Sequence, residues 1–220
     1  IPLQFDKVYT EGISKITAQD VKYAEDLGFR IKHLGIARRA ANGIELRVHP
    51  TLIPSEELIA NVNGVKNAVL VQAHAVGPTL YYGAGAGAGP TASAVVADVI
   101  DIVRDISYTE DGAGTIPQLA FEALTNVPIL SREQMTTGYY IRLNAEDQTG
   151  VLADVTTILS RAGISIDAIM QQSRLKDLIP IVILTDPVLE SKMDEALAQI
   201  QALPTIHGEI IRIRLESLDS

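Results

Sequence analysis

The sequence predicts an α+β fold: a mixed sheet with helices, followed by a ferredoxin-like βαββαβ module. Three observations carry this. Asn42-Gly43 sits between two β-forming stretches, 29–39 and 44–49, as a two-residue hairpin signal. A Gly-Ala repeat over 83–89 joins a strand-like run to an apolar helix. From 137 onward, strand-period and helix-period segments alternate in the order β, α, β, β, α, β.

The first region opens with Thr17-Ala18-Gln19-Asp20, a capping box with Asp in the usual Glu position, and Val21, Ala24 and Leu27 continue the helical spacing to Gly28. The hairpin follows, and Ser55-Glu56-Glu57 opens a further short helix. Residues 68–75 and 79–82 read as strands separated by Gly77-Pro78. Pro90 suits the first residue of a helix whose apolar face is Val95, Val99, Ile102 and Ile106. The stretch around Asp111-Gly112-Ala113-Gly114, with Pro117 and Pro128, breaks the periodicity as a connection would. The predicted organisation is therefore a first domain over 1–107, a linker over 108–136 and a second domain over 137–220. In that last part Tyr139, Ile141 and Leu143 alternate as a strand, and Val151, Val155, Ile158 and Leu159 mark a helix stopped by Gly163. Strands at 164–170 and 179–184, a helix through Leu189, Met193, Leu197 and Ile200, and a strand at 211–215 complete it.

Composition narrows the function classes. The 18 basic against 27 acidic residues give a net charge of −9, which disfavours nucleic acid and anionic lipid as partners. No apolar run of about 18 residues spans a bilayer and Ile1-Pro2-Leu3-Gln4 is no signal peptide, so a cytoplasmic protein is the expectation. With no cysteine, disulfides, thiolate zinc and a cysteine nucleophile fall away. The four histidines, His33, His49, His74 and His207, lack ligand spacing, and no metal is expected.

The residues that point to chemistry lie in the glycine loop. Glycines between strand and helix let backbone approach a flat or charged ligand, and a helix start offers free N–H groups to an anion. Gly83-Ala-Gly85-Ala-Gly87-Ala88 fits the permissive dinucleotide fingerprint, but no second parallel strand with a ribose-binding acid follows it. Asp98, Asp101 and Asp105 fall on the helix itself. Cofactor contact and mere close packing of the helix on the sheet therefore stand side by side as readings of the spacing.

The string Tyr82-Gly83-Ala84-Gly85-Ala86-Gly87-Ala88-Gly89-Pro90-Thr91-Ala92-Ser93-Ala94-Val95-Val96 resembles the glycine loop and following helix of homoserine dehydrogenases. Thr10-Glu11-Gly12-Ile13, Ala24-Glu25-Asp26-Leu27-Gly28-Phe29, Arg47-Val48-His49-Pro50 and Val62-Asn63-Gly64-Val65-Lys66-Asn67-Ala68-Val69 agree with that family in order, over residues 1 to about 107. The resemblance implies an NAD(P)-dependent interconversion of L-homoserine and L-aspartate 4-semialdehyde, a step toward threonine, methionine and isoleucine. It places the catalytic lysine, the substrate carboxylates and the dinucleotide-binding domain upstream of Ile1. No catalytic residue is therefore assigned here, and the chain alone is expected to be inactive. Gly87, with Gly85 and Thr91, is implied as cofactor-binding, with NADP or NAD as the cofactor.

Residues 137–220 resemble the ACT domain, an amino-acid-sensing module. Asn144-Ala145-Glu146-Asp147-Gln148-Thr149-Gly150-Val151-Leu152 stands where that family has its Asp-x-Pro-Gly-Val-Leu turn, with Thr149 replacing the proline. Threonine is implied as effector, its carboxylate on the amides of the following helix and its ammonium on Asp147 or Asn144. Gly150, Val151 and Leu152 complete that allosteric set. Asp147 as a plain helix N-cap and Gly150 as a packing glycine are the alternative readings. A homodimer or higher homo-oligomer is implied by the dehydrogenase resemblance. An amino-acid-sensing and dimerisation module without catalysis is the second reading of the whole chain.

Overall fold

The structure is a computed structural model that describes residues 4–108, 124–171 and 178–218. It divides into two compact units, Asn61–Asn126 and a second made of Leu3–Ala60 with Val127–Ser220. These units cut across the expected boundaries of 107 and 136, with residues 3–60 grouped with residues 127–220 and the hairpin and helix between them forming the other unit. The expected connection at Asp111 to Pro117 lies outside the described residues.

The larger unit carries a seven-stranded sheet in the order β1-β3-β9-β6-β8-β7, with β2 paired to β3. Its strands are β1 (Tyr9–Thr10), β2 (Phe29–Ala40), β3 (Gly43–Pro54), β6 (Thr136–Glu146), β7 (Ile166–Gln171), β8 (Leu178–Leu189) and β9 (Ile206–Leu215). The predicted βαββαβ order is present, with α3 (Val151–Arg161) and α4 (Glu190–Gln201) as its helices. These helices cover one face through Val155, Leu159, Met193 and Ile200, packed on Tyr139, Ile141 and Leu143 of β6.

The opposite face is buried as well. Tyr140 of β6, Val182 and Leu184 of β8 and Ile211 and Ile213 of β9 pack against Tyr23 and Ala24 of α1 (Ala18–Asp26) and Leu52 of β3. The Asn42-Gly43 hairpin forms with Ala40 opposite Gly43. A Cβ on Gly43 would lie 2.3 Å from the Pro128 carbonyl oxygen, because the returning chain pairs here through Ile44 N–H to Pro128 O at 2.8 Å. The glycine thus serves close approach as well as the turn.

The capping box of α1 is present, and its acid reaches further than the helix end. Asp20 accepts from the Thr17 amide at 2.9 Å and the Thr17 hydroxyl at 2.6 Å. It also accepts from Arg142 Nε at 2.5 Å, Arg142 Nη2 at 3.1 Å and the Tyr140 hydroxyl at 3.1 Å. Burial alone would raise the Asp20 carboxyl, but the Arg142 and Thr17 hydrogen bonds outweigh it and hold it below the usual carboxylate range.

On the α3/α4 face a second cluster joins the same segments. Glu190, at the start of α4 and fully buried, accepts from Tyr139, from Arg214 Nε at 2.9 Å and from Arg132 at 3.3 Å. Arg214 Nη1 also donates to Glu11 at 2.7 Å, and Arg47 of β3 pairs with Glu216. These pairs flank the parallel contact of β3 with β9 at Thr51–Arg214 and Leu52–Leu215.

The smaller unit holds an antiparallel hairpin, β4 (Lys66–Ala73) and β5 (Gly77–Ala84), and α2 (Ala88–Tyr108). The turn falls at residues 74–76, with Gly77 at φ +78° opening β5, rather than at Gly77-Pro78. The helix expected from Ser55 is only a 3-10 turn at Leu58–Asn61. Pro90 is the third residue of α2, a first-turn position where its missing N–H costs no helical hydrogen bond.

Two outcomes test this account. Asp20→Ala leaves Arg142 buried without its counter-charge, and urea unfolding should show a loss of about 3–5 kcal/mol. His49 is fully buried, and burial, with Arg214 and Arg47 nearby, pushes its imidazole down to about 4 against the hydrogen bond with the Pro50 carbonyl. A depressed histidine favours folding above its unfolded value, near 6.5, and loses that contribution as pH falls toward 4. Unfolding free energy should therefore drop by about 3 kcal/mol across that window, and His49→Phe should flatten the slope.

Candidate functional site

The glycine loop closes β5 and opens α2. Its glycines differ in what surrounds them. A Cβ built on Gly85 would lie 1.7 Å from Asn67 Nδ2, so Gly85 is bare because the Asn67 side chain of β4 occupies that space. Its amide also points to the Val65 carbonyl oxygen at 3.3 Å. Gly87 takes φ +119°, a conformation that suits glycine, and a Cβ there would meet only the Pro90 ring, at 3.4 Å. Gly83 and Gly89 have open space on that side. The Thr91 amide bonds the Gly87 carbonyl at 3.1 Å, the first turn of α2, and its side chain is exposed. Gly87 and the first amides of α2 thus form the open part of the loop, and Gly85 its braced part. Asn67 is the residue sequence reading missed; it appeared there only within the matching string 62–69.

α2 is apolar on more than one side. Val95, Val99, Ile102 and Ile106 form the expected stripe, but Val96, Ile100 and Val103 lie beside it, and all seven are between 45% and 72% exposed. A helix with so broad an apolar surface is built for burial.

In the larger unit, the β6–α3 turn has a definite arrangement. Gly150, at φ +97°, and not Asp147, is the N-cap residue of α3. Asp147 is exposed and Asn144 half-buried. Val151 is buried in the α3/α4 core and Leu152, half-buried, packs against it. Glu146 anchors the turn: its carboxylate accepts from Gln148 at 2.7 Å and meets His207 Nε2 of β9 at 2.8 Å. This Glu146–His207 pair was not legible beforehand, since the two lie 61 residues apart.

Among the described residues no helix is long and apolar enough to cross a membrane. The histidines are dispersed, with His33 on the Glu11 carbonyl, His49 in the core and His207 on Glu146.

Replacing Gly85 by alanine forces Asn67 out of its seat. Amide hydrogen exchange along β5 should therefore accelerate in Gly85→Ala, and the double variant Asn67→Gly/Gly85→Ala should return much of the protection. Equal acceleration in single and double variants would sink the steric explanation.

Comparison with known proteins places this geometry. Residues 1–100 match the homoserine dehydrogenase family and residues 139–205 the ACT domain. The chain is 56% identical over its whole length to a homoserine dehydrogenase of Pseudomonas aeruginosa, covering 51% of that protein. It is 49% identical over 99% of its length to one of Neisseria gonorrhoeae, covering 50% of it. The crystal structure of a homoserine dehydrogenase from Thiobacillus denitrificans superposes with a TM-score of 0.90 at 56% identity, over 99% of this chain and 49% of that one. The chain thus spans about half the length of the curated relatives it matches. Residues 1–100 are therefore a homoserine dehydrogenase domain and residues 139–205 an ACT domain.

Proposed function

We propose that this chain is the carboxy-terminal portion of an NAD(P)-dependent homoserine dehydrogenase that interconverts L-homoserine and L-aspartate 4-semialdehyde in threonine, methionine and isoleucine biosynthesis. The observation that carries the reading is the 56% identity to the Pseudomonas aeruginosa enzyme over the whole chain. In the forward direction the C4 alcohol loses a hydride from carbon and a proton from oxygen to become an aldehyde. The nicotinamide cofactor, when bound, takes up or supplies that hydride. The proton-transferring lysine belongs to the portion of the enzyme that precedes Ile1 in this reading.

What this chain contributes is placement. Gly87 presents backbone free of a side chain, and the first amides of α2 can meet an anionic or carbonyl group. Gly85 contributes indirectly, through its fit to Asn67, and Thr91 sits one turn along the helix. The broad apolar surface of α2 supports a larger body in which it is covered. The glycines and alanines of this loop do not discriminate NAD from NADP, which differ at the adenosine ribose. A cytoplasmic homo-oligomer completes the reading.

The ACT domain supports feedback by threonine. The start of α3 after Gly150 can offer amides to a carboxylate, and Asp147 and Asn144 precede it for an ammonium group, with Gly150, Val151 and Leu152 lending backbone. A second reading, a sensing and dimerisation module without catalysis, is favoured by one observation: the larger unit, ACT domain included, has its own core on both faces of its sheet.

Two measurements separate the readings. The chain alone should give no absorbance change at the reduced-nicotinamide band with NADP and homoserine, whereas mixing with a separately expressed amino-terminal portion should restore it. In that reconstituted enzyme Gly87→Val should raise KM for the cofactor at least tenfold; unchanged kinetics would remove Gly87 from the site. Threonine binding by calorimetry that vanishes in Asp147→Ala would place the effector at the turn.

A further inference from the structure

A cavity of about 320 Å³ opens within the larger unit, away from the β6–α3 turn. Its walls come from Glu11, Gly12, Lys15 and Ile16, from Pro50 of β3, from the side of α4 and from β9, four segments far apart in sequence. The apolar part is Ile16, Leu197 and Ile211. Across the mouth, Lys15 Nζ donates to the Glu209 carboxylate, and both side chains are more than half exposed. Deeper, Arg212 Nη1 bonds Asp194 at 2.5 Å, and Asp194 also accepts from Arg132 at 2.6 Å. Glu11 completes the charged lining, where its Oε2 accepts from Tyr9 and Arg214.

The inner charges are held in place by several partners each, but the Lys15–Glu209 pair is not. An ion pair this exposed contributes little to stability, so parting it is cheap in free energy. The two groups are of opposite sign and face each other over an apolar floor. The lining carries Glu11, Asp194 and Glu209 against Lys15 and Arg212, an excess of one negative charge, which disfavours dianions. The volume lies at the small end of ligand pockets.

We propose that this cavity binds a small zwitterionic amino acid. Its carboxylate takes the Lys15 ammonium, its ammonium takes the Glu209 carboxylate, and its side chain rests on Ile16, Leu197 and Ile211. One exposed ion pair is replaced by two less exposed ones. The ligand ties residues 11–16, which lie in the dehydrogenase domain, to α4 and β9. The site is separate from the turn at Asp147 and does not depend on the threonine reading given above.

Calorimetry and thermal unfolding of the 220-residue chain test it, with serine, alanine and valine as probes, threonine being left out because it is the expected ligand of the turn, and succinate and phosphate as anionic controls. At least one amino acid should bind and raise Tm, and the two anions should not. Lys15→Ala and Glu209→Ala, both at exposed positions, should each weaken binding at least tenfold, while Asp147→Ala leaves it unchanged. The proposal is overturned if none of the three amino acids binds, or if binding survives both rim substitutions. Loss of binding in Asp147→Ala with the rim variants unaffected would overturn it too, and would assign the heat to the turn instead.

Discussion

The Asp20 carboxylate is the contact on which the larger unit depends. It caps the start of α1 by accepting from Thr17 at Oδ2, and its two oxygens neutralise Arg142 in the middle of β6. The magnitudes separate these roles. A capping interaction contributes about 1 kcal/mol, whereas leaving one member of a buried ion pair alone costs about 3–5 kcal/mol. The bond to Arg142 therefore dominates. It fixes α1 over the second face of the sheet, where Tyr23 and Ala24 then exclude water from Tyr140, Val182 and Ile213. An isolated ferredoxin-like module would leave Arg142 to solvent; here the charge is acceptable only because residues 17–20 arrive to meet it.

The other face depends on charge in a different manner. β3 and β9 share only two residue pairs in parallel, too short a ladder to select its own register. Arg214 binds Glu190 from within the ACT domain and Glu11 from outside it, while Arg47 reaches Glu216 just past β9. A slip along the strand would part these buried charges, so the pairs define which residues of β3 and β9 lie side by side. The buried hydroxyls adapt to this field: burial, then the nearby Glu190 charge, raises the Tyr139 phenol well above its ordinary value, keeping it a donor to that carboxylate.

The local grammar of this fold was legible from sequence because it is written in neighbouring residues. Thr17 to Asp20 gave the cap, Asn42-Gly43 the turn, and the alternation of Tyr139, Ile141 and Leu143 the strand. The long-range partners were not, since nothing near Arg142 points to Asp20, 122 residues away. One signal was present and passed over: Ile179 to Leu184 is apolar without alternation, as expected of a strand buried on both faces, and β8 is buried in that way. The glycine loop shows the same limit. Its repeat announced a place free of side chains, but only the hairpin register, with Asn67 opposite Gly83, shows that Gly85 is filled from within and Gly87 is open.

The boundaries of the family matches and those of the compact units do not coincide. Residues 1–100 form one match and 139–205 the other, yet residues 3–60 fold with the ACT domain as a single body. β3, which belongs to the first match, is a neighbour of β9 and carries Arg47 and His49 in its core. The two matched regions are thus held together within the larger unit by a short parallel ladder and buried charge pairs. The covalent path then runs directly from β3 through the 3-10 turn at Leu58–Asn61 into β4, the strand whose Asn67 holds the glycine loop.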